Sequence, residues 1–281
     1  MLRTRHPTRL LGADDVDAAL ELCARDPAAN VFVASRILDG GLGYGSTAAH
    51  GWFSDGRLEA FVWTLANVVP VGTGPASWGS LATQVHKVRR RCASFLGPRE
   101  EVLGLWGETG ATFPRPRALR SEQPLMATRT LPSRLGFGID PRVRPATLGE
   151  VDLVLPAAEH MFTHEIGYRP YTGSVTFYRD SIWRLIRQGR TYVVVEDGRV
   201  VFKADIGSVA LGTCQIQGVW LTPEQRGRGL AVGYMASVVE QAMADHAPFV
   251  TLYVNDFNVA AVATYERIGM ERVGTFATIL F

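Results

Sequence analysis

"VWLTPEQRGRGLA", residues 219–231, sets two arginines and two glycines in alternation between two apolar stretches. A β-rich run, "TCQIQGVWL", leads into it, and a helical pattern leaves it. Leu230, Tyr234, Val238 and Ala242 repeat at four-residue spacing, as do Met235, Val239 and Met243. That wide apolar face belongs to a helix over about residues 229–244 lying on a sheet. At such a junction the first amides of the helix have no partner inside it, and the helix dipole adds partial positive charge. Gly227 and Gly229, with Ala231, let an anion approach the main chain closely. Arg226 and Arg228 either add charge or face water. A basic surface loop is the competing reading, and an RGRG string alone does not choose between the two. No GK[ST] follows, so this is not a P-loop, and GxGxxG is absent. "GGLGYG" and "VGTGPASWG" match neither pattern and read as loops.

Composition narrows the class. The 281 residues suit one large or two modest domains, and 47% hydrophobic with 20% charged residues is globular. A formal charge of +2 gives no reason to expect nucleic acid or an anionic membrane as partner. The basic run "HKVRRR" (86–91) reads as a solvated helix face. The start, "MLRTRHPTRLLGADD", has no apolar run after its basic residues, so a secretory signal is not expected. "FVWTLANVVPV" (61–71) is too short to span a bilayer. Cys23, Cys92 and Cys214 are far apart, odd in number and form no CxxC pair. They read as small buried hydrophobes in a reduced, cytoplasmic protein.

Two pairs of stretches suggest an internal repeat. "LLGADDVDAAL" (10–20) resembles "ATLGEVDLVL" (146–155), an acid, Val and Asp opening a helical pattern. "FSDGRLEAFVW" (53–63) resembles "VVEDGRVVFKA" (194–204), strand, Asp-Gly turn, strand. The matched residues are few, and chance similarity is the alternative. The join falls near "LPSRLGFGIDPRVRP" (131–145), with room for a short strand. In the second half, Thr147 and Glu150 form a capping box for a helix to about Met161, with a kink or break expected at Pro156. A loop, a helix over about 175–188, three strands, the 229–244 helix, a strand, a helix and a last strand follow. Mixed α and β with helices on both faces is the expected architecture.

Two elements now carry a family resemblance. "VWLTPEQRGRGLA" resembles the acetyl-CoA signature [RQ]xxGx[GA] of the GNAT superfamily of N-acyltransferases, matched by Arg226, Gly227, Arg228, Gly229, Leu230 and Ala231. "NVAAVATYERIGM" resembles the family's NxxAxxxYxxxGF, with Asn258, Ala261, Tyr265 and Gly269 in place and Met270 where Phe is usual. The resemblance covers roughly residues 138–281. It implies an α/β (α+β) GNAT fold, a mixed, mostly antiparallel sheet flanked by helices. It also implies two tandem GNAT-like domains, a degenerate one over 1–135 and a catalytic one over 136–281. The first half has neither motif, so its role would be to wall the acceptor site or support the second half.

What the resemblance implies chemically is an N-acetyltransferase. Acetyl-CoA would be the co-substrate, attacked directly by an amine in a ternary complex. The main chain of Val219, Trp220 and Leu221 would hold the pantetheine arm and acetyl carbonyl, and the amides of Gly227–Ala231 the pyrophosphate. Asn258 would face the cofactor. Tyr265 stands where many relatives place the acid that protonates the thiolate; a core aromatic with a satisfied hydroxyl is its bland alternative. Many relatives carry a glutamate on the fourth strand; here Gln215 and Gln217 stand instead. Glu159, His164, Glu165 and Asp205 are candidate bases, each also readable as a solvated surface group, and Glu165 is favoured because that loop commonly forms a substrate wall in the family.

His160 and His164 stand at zinc-ligand spacing, but no third ligand is evident and HExxH is absent, so no metal is expected. Phe162, Tyr168, Tyr171, Phe177 and Tyr178, with Arg169 and Arg179, could line an acceptor pocket or be ordinary core. The acceptor is left open among a small-molecule amine, an amino acid and a protein amine, as is the oligomeric state. Competing functions are a non-catalytic acyl-CoA sensor, transfer of a longer acyl group, and transfer to a hydroxyl. Trp220 beside the thioester position would crowd longer chains.

Overall fold

The computed structural model describes residues 7–281; the first six residues of the stretch read for a secretory leader lie outside them. Through the first half run β1 (Thr8–Leu10), α1 (Val16–Ala24), α2 (Pro27–Arg36), β2 (Ala49–Ser54), β3 (Arg57–Thr64), β4 (Asn67–Val71), α3 (Pro75–Val85), β5 (Ser94–Pro98), α4 (Arg99–Thr109) and β6 (Ala118–Thr128). Through the second run β7 (Arg144–Pro145), α5 (Val151–Ile166), α6 (Thr176–Arg187), β8 (Thr191–Glu196), β9 (Arg199–Ala210), β10 (Thr213–Leu221), α7 (Leu230–Asp245), β11 (Phe249–Tyr253), α8 (Val259–Arg267) and β12 (Glu271–Leu280). The same order, β-α-α-β-β-β-α-β-α-β, occurs twice. The weak repeat in the sequence is a whole repeated topology.

Local chemistry explains the shared hairpins. Asp55 and Gly56 (φ 50° and 80°) and Asp197 and Gly198 (φ 47° and 71°) turn β2 into β3 and β8 into β9. Both residues of each turn have positive φ, the type I′ pattern whose twist matches paired strands. Leu211 and Gly212 repeat it between β9 and β10 at φ 52° and 66°. Thr147 donates its N–H and hydroxyl to the Glu150 carboxylate at 2.8 and 3.0 Å, closing the expected cap ahead of α5.

Three expectations need correction. α5 runs unbroken through Pro156, because Val154, Ala157 and Ala158 are held in a buried cluster with Ile182, Ile186 and Val193. That packing outweighs the one helical hydrogen bond proline removes. The helix also continues past Met161 to Ile166 and ends at Gly167 in the left-handed region, so His164 and Glu165 lie on a helix and not in a loop. "HKVRRR" is not a helix face: α3 ends at Val85, and the 3-10 turn His86–Val88 buries Val88.

Contacts divide the chain into two compact units, Met1–Leu125 with Tyr253–Asn258 and Arg272–Phe281, and Met126–Leu252 with Val259–Glu271. These differ from a division at 135/136, because β12 falls in the first unit from Arg272 onward and β6 is divided after Leu125. In the first unit the strand order is β1-β2-β3-β4-β5-β12, with the start of β6 beside β12. β12 pairs antiparallel with β5 from Phe276↔Pro98 to Leu280↔Ser94, and Ala277 and Ile279 fill the core around Phe95 and Leu105. In the second unit the order is β11-β10-β9-β8-β7, and the end of β6 meets β11, where Thr251 Oγ1 donates to the Met126 carbonyl at 3.1 Å. Both sheets are mostly antiparallel, with α1 and α2, or α5 and α6, against the strands.

Candidate functional site

The second unit's sheet opens where the sequence places its motif. β10 pairs antiparallel with β9 from Thr213 to Leu221. With β11 it pairs, in parallel, only at Thr213↔Phe249, Cys214↔Val250 and Gln215↔Thr251. β10 continues to Leu221 and β11 to Tyr253, so the strands part beyond Gln215. From there the β11-facing edge of β10, with half-buried Val219, Trp220 and Leu221, has no strand partner among the described residues. The β9 register also slips between Gln217 and Trp220, so Gly218 and Val219 form a bulge at φ +60° for Gly218.

Directly after this edge the chain makes the glycine loop. Gly227 (φ 73°) and Gly229 (φ 77°) are left-handed, and a side-chain carbon at either would meet nothing within 4 Å. The main chain there is bare to solvent. Gly229 is the N-cap of α7, and no side chain caps that helix, which leaves its first amides for an external acceptor. Arg226 folds back, Nε to the Leu221 carbonyl at 3.0 Å. Arg226 and Arg228, with Trp220, His160 and His164, line a cavity of about 960 Å³. The His160 and Trp220 rings lie 6.2 Å apart there.

Tyr265 is buried on α8, and Glu165 is exposed in the last turn of α5. Burial, and next the Glu165 charge, push the Tyr265 hydroxyl above its ordinary pKa, so these two candidates lie within electrostatic reach. Glu159 is already engaged: its carboxylate takes the Tyr171 hydroxyl at 2.9 Å and Arg169 Nε at 2.7 Å. Those bonds, Tyr171's first, hold it below the usual carboxylate range. Arg179 is paired with Asp152 at 2.7 Å, so both arginines expected in an acceptor pocket bind neighbouring acids. Phe162 packs on Tyr168 and Tyr178, while Phe177 is 87% exposed. Asn258 is exposed in the turn before α8 and belongs to the other compact unit, its N–H bonded to the Asn255 carbonyl at 2.9 Å. No group of three or more His, Cys, Asp or Glu side chains that could hold a metal occurs among the described residues.

Sequence reasoning named Asp205 as a candidate base but missed its partner, Lys203. Lys203 and Asp205, on β9, are both buried and bonded at 2.5 Å. The signal was present: "VVFKAD" sets two charges two residues apart, on one face of an otherwise apolar strand.

The first unit contains the corresponding junction in altered form. β4 and β5 pair only at Asn67↔Ser94 and Val68↔Phe95. The loop that follows satisfies itself. The Glu101 carboxylate accepts the Thr73 N–H at 2.7 Å and the Thr73 hydroxyl at 3.1 Å, and the Gly74 N–H goes to Ser77 Oγ at 3.0 Å. Pro75, first in α3, has no N–H to give.

A repeated α/β unit with a splayed parallel strand pair and a helix start that no side chain caps characterises the fold. Residues 158–270 match the acetyltransferase (GNAT) family, and residues 47–154 match a domain of unknown function (DUF4081). Over residues 158–270 the chain is similar to that acetyltransferase family, whose chemistry is acyl transfer. A search of curated proteins returned no match. Among solved structures, a GCN5-related N-acetyltransferase from Sphaerobacter thermophilus is 16% identical, with a TM-score of 0.61 over 97% of this chain and 94% of that one. A GNAT-family acetyltransferase from Colwellia psychrerythraea is 12% identical, with a TM-score of 0.57 over 98% and 99%. A tandem GNAT protein from the clavulanic acid biosynthesis pathway is 14% identical, with a TM-score of 0.55 over 96% and 97%. At these identities the likeness is one of fold. Among the described residues no helix is long and apolar enough to cross a membrane.

Proposed function

We propose that the protein is an acetyl-CoA-dependent N-acetyltransferase in which an amine attacks the thioester directly in a ternary complex. The observation that carries this reading is the parting of β10 from β11 beyond Gln215, followed at once by the bare glycine loop at the start of α7. An extended pantetheine arm fits an unpaired strand edge as an added strand would, and a diphosphate fits uncapped helix amides. When bound, acetyl-CoA supplies an activated acetyl group.

The chain's own residues do the rest. Main-chain groups of Val219, Trp220 and Leu221 bind the arm and steady the negative charge that develops on the carbonyl oxygen. The amides of Gly227–Ala231, with Arg226 and Arg228, hold the diphosphate. Glu165 takes the proton from the amine, and Tyr265 gives its hydroxyl proton to the departing sulfur. Burial favours the protonated hydroxyl, as an acid requires. In this reading residues 136–281 form the catalytic domain. Residues 1–135 form a degenerate one, whose loop amides are taken by Glu101 and Ser77. The acceptor is a small-molecule or protein amine, and the setting is cytoplasmic.

A non-catalytic acyl-CoA sensor is the second reading, favoured by Gln215 and Gln217 on β10 where a carboxylate would serve as base. Turnover of any amine in an acceptor screen excludes it. The deciding test is calorimetric titration of acetyl-CoA into the protein and into Gly229→Glu, whose carboxylate repels the diphosphate. One molecule bound per chain, lost in the variant, is expected. No binding by the unaltered protein would sink the reading, and two per chain would contradict a degenerate first half.

A further inference from the structure

Beside the β10 bulge lies a charge pair that stability does not call for. Lys203 is 1% exposed, and its Nζ donates to Asp205 Oδ2 at 2.5 Å and to the Gly218 carbonyl at 2.9 Å. Asp205 Oδ1 accepts the Thr191 hydroxyl at 2.9 Å. Phe202, Ala204 and Ile206 between and beside them are buried core. Taking two charges from water is costly, and well-packed apolar residues commonly serve a core as well or better. The geometry around Gly218 shows where the pair acts. A side-chain carbon there would lie 2.8 Å from Asp205 Oδ2, 3.1 Å from Lys203 Nζ and 3.3 Å from Met161 Cε. Only glycine lets the pair press this closely on the bulge, and glycine also tolerates the φ of +60°.

We infer that Lys203, held by Asp205, is a positioning residue for the reacting segment of β10. The Gly218–Val219 peptide is planar and trans, so its C=O and N–H point in opposite directions. Anchoring the Gly218 carbonyl on Lys203 turns the Val219 N–H away from the ion pair and keeps it out of the β9 ladder. Val219 is the first of the main-chain donors assigned to the substrate arm and carbonyl, so this inference rests on the proposed function. A bulge free to rotate would present that donor only part of the time.

The test uses the full chain, ¹⁵N-labelled, with acetyl-CoA as the probe. In the unaltered protein, saturating acetyl-CoA shifts the amide signals of both Gly229 and Val219. In Lys203→Met/Asp205→Leu, which removes both charges together, the Gly229 signal still shifts at saturation, the Val219 response is lost, and affinity falls about tenfold, the scale of one main-chain hydrogen bond. Lys203→Arg, which keeps a cationic donor, recovers part of the affinity. Should that double variant not fold, Lys203→Met/Asp205→Asn, which also removes both charges but keeps an acceptor for the Thr191 hydroxyl, carries the same comparison. A Val219 response and affinity equal to the unaltered protein's would overturn the inference and leave the proposed function standing. Failure of the unaltered protein to bind acetyl-CoA would overturn both.

Discussion

Tyr265 shows how much one residue's setting adds to its type. The motif NxxAxxxY named it, but only the tertiary structure shows it buried and within reach of the Glu165 charge. Tyr265→Phe is expected to lower kcat by about 10²-fold while acetyl-CoA affinity stays the same, read by steady-state kinetics beside calorimetry. Glu150 is a second case. Its bonds from Arg144, first, and Thr147 pull the carboxyl down to about 2 from an ordinary 4.5. A depressed carboxyl stabilises the fold above its ordinary pKa and loses that contribution as pH falls toward the folded value. The urea midpoint is thus expected to drop between pH 4.5 and 2, and to drop less in Glu150→Gln. The thiols work in the opposite direction. Burial pushes Cys23 and Cys214 up to about 12 and Cys92 to about 11, from an ordinary 9.0. Raised values mean stability is complete below pH 9.0 and is lost as pH climbs through 11 and 12. A disulfide reagent at pH 8 should therefore label none of the three before unfolding; labelling of native protein would contradict that burial.

At the scale of elements, turn chemistry was legible only where composition announced it. Asp-Gly marked two hairpins, but Leu211-Gly212 makes the third with the same positive φ values and no polar residue to signal it. Leucine in the left-handed region costs roughly 1–2 kcal/mol, and asparagine less. Leu211→Asn is expected to raise stability by about 0.5–1 kcal/mol, measured by chemical denaturation; a loss would mean the half-buried leucine packs usefully. α5 teaches the converse. Proline predicts a break from local rules, and the buried cluster around Val154, Ile182 and Val193 overrides it. The buried Lys203–Asp205 pair was passed over because alternating charge in a strand usually marks a solvated face.

At the scale of the molecule, the placement of the last strand sets what can fold. β12 comes from the second half of the chain but seats Ala277 and Ile279 in the first unit's core. A fragment of residues 136–281 is therefore expected to lack cooperative thermal unfolding, because an apolar strand is left without its β5 partner. A sharp transition in calorimetry would show that the half stands alone. Legible in the sequence were the order of strands and helices in the second half, the Asp-Gly hairpins, and the glycine loop at the start of α7. These depend on residues close in the chain: periodicity, backbone freedom and caps. Long-range pairing set where β10 leaves β11 after Gln215, how Lys203 meets the Gly218 carbonyl, and the pairing of β12 with β5 in the first unit. Such choices are made between segments far apart in the chain, where packing and pairing outweigh any local preference that a sequence pattern can record.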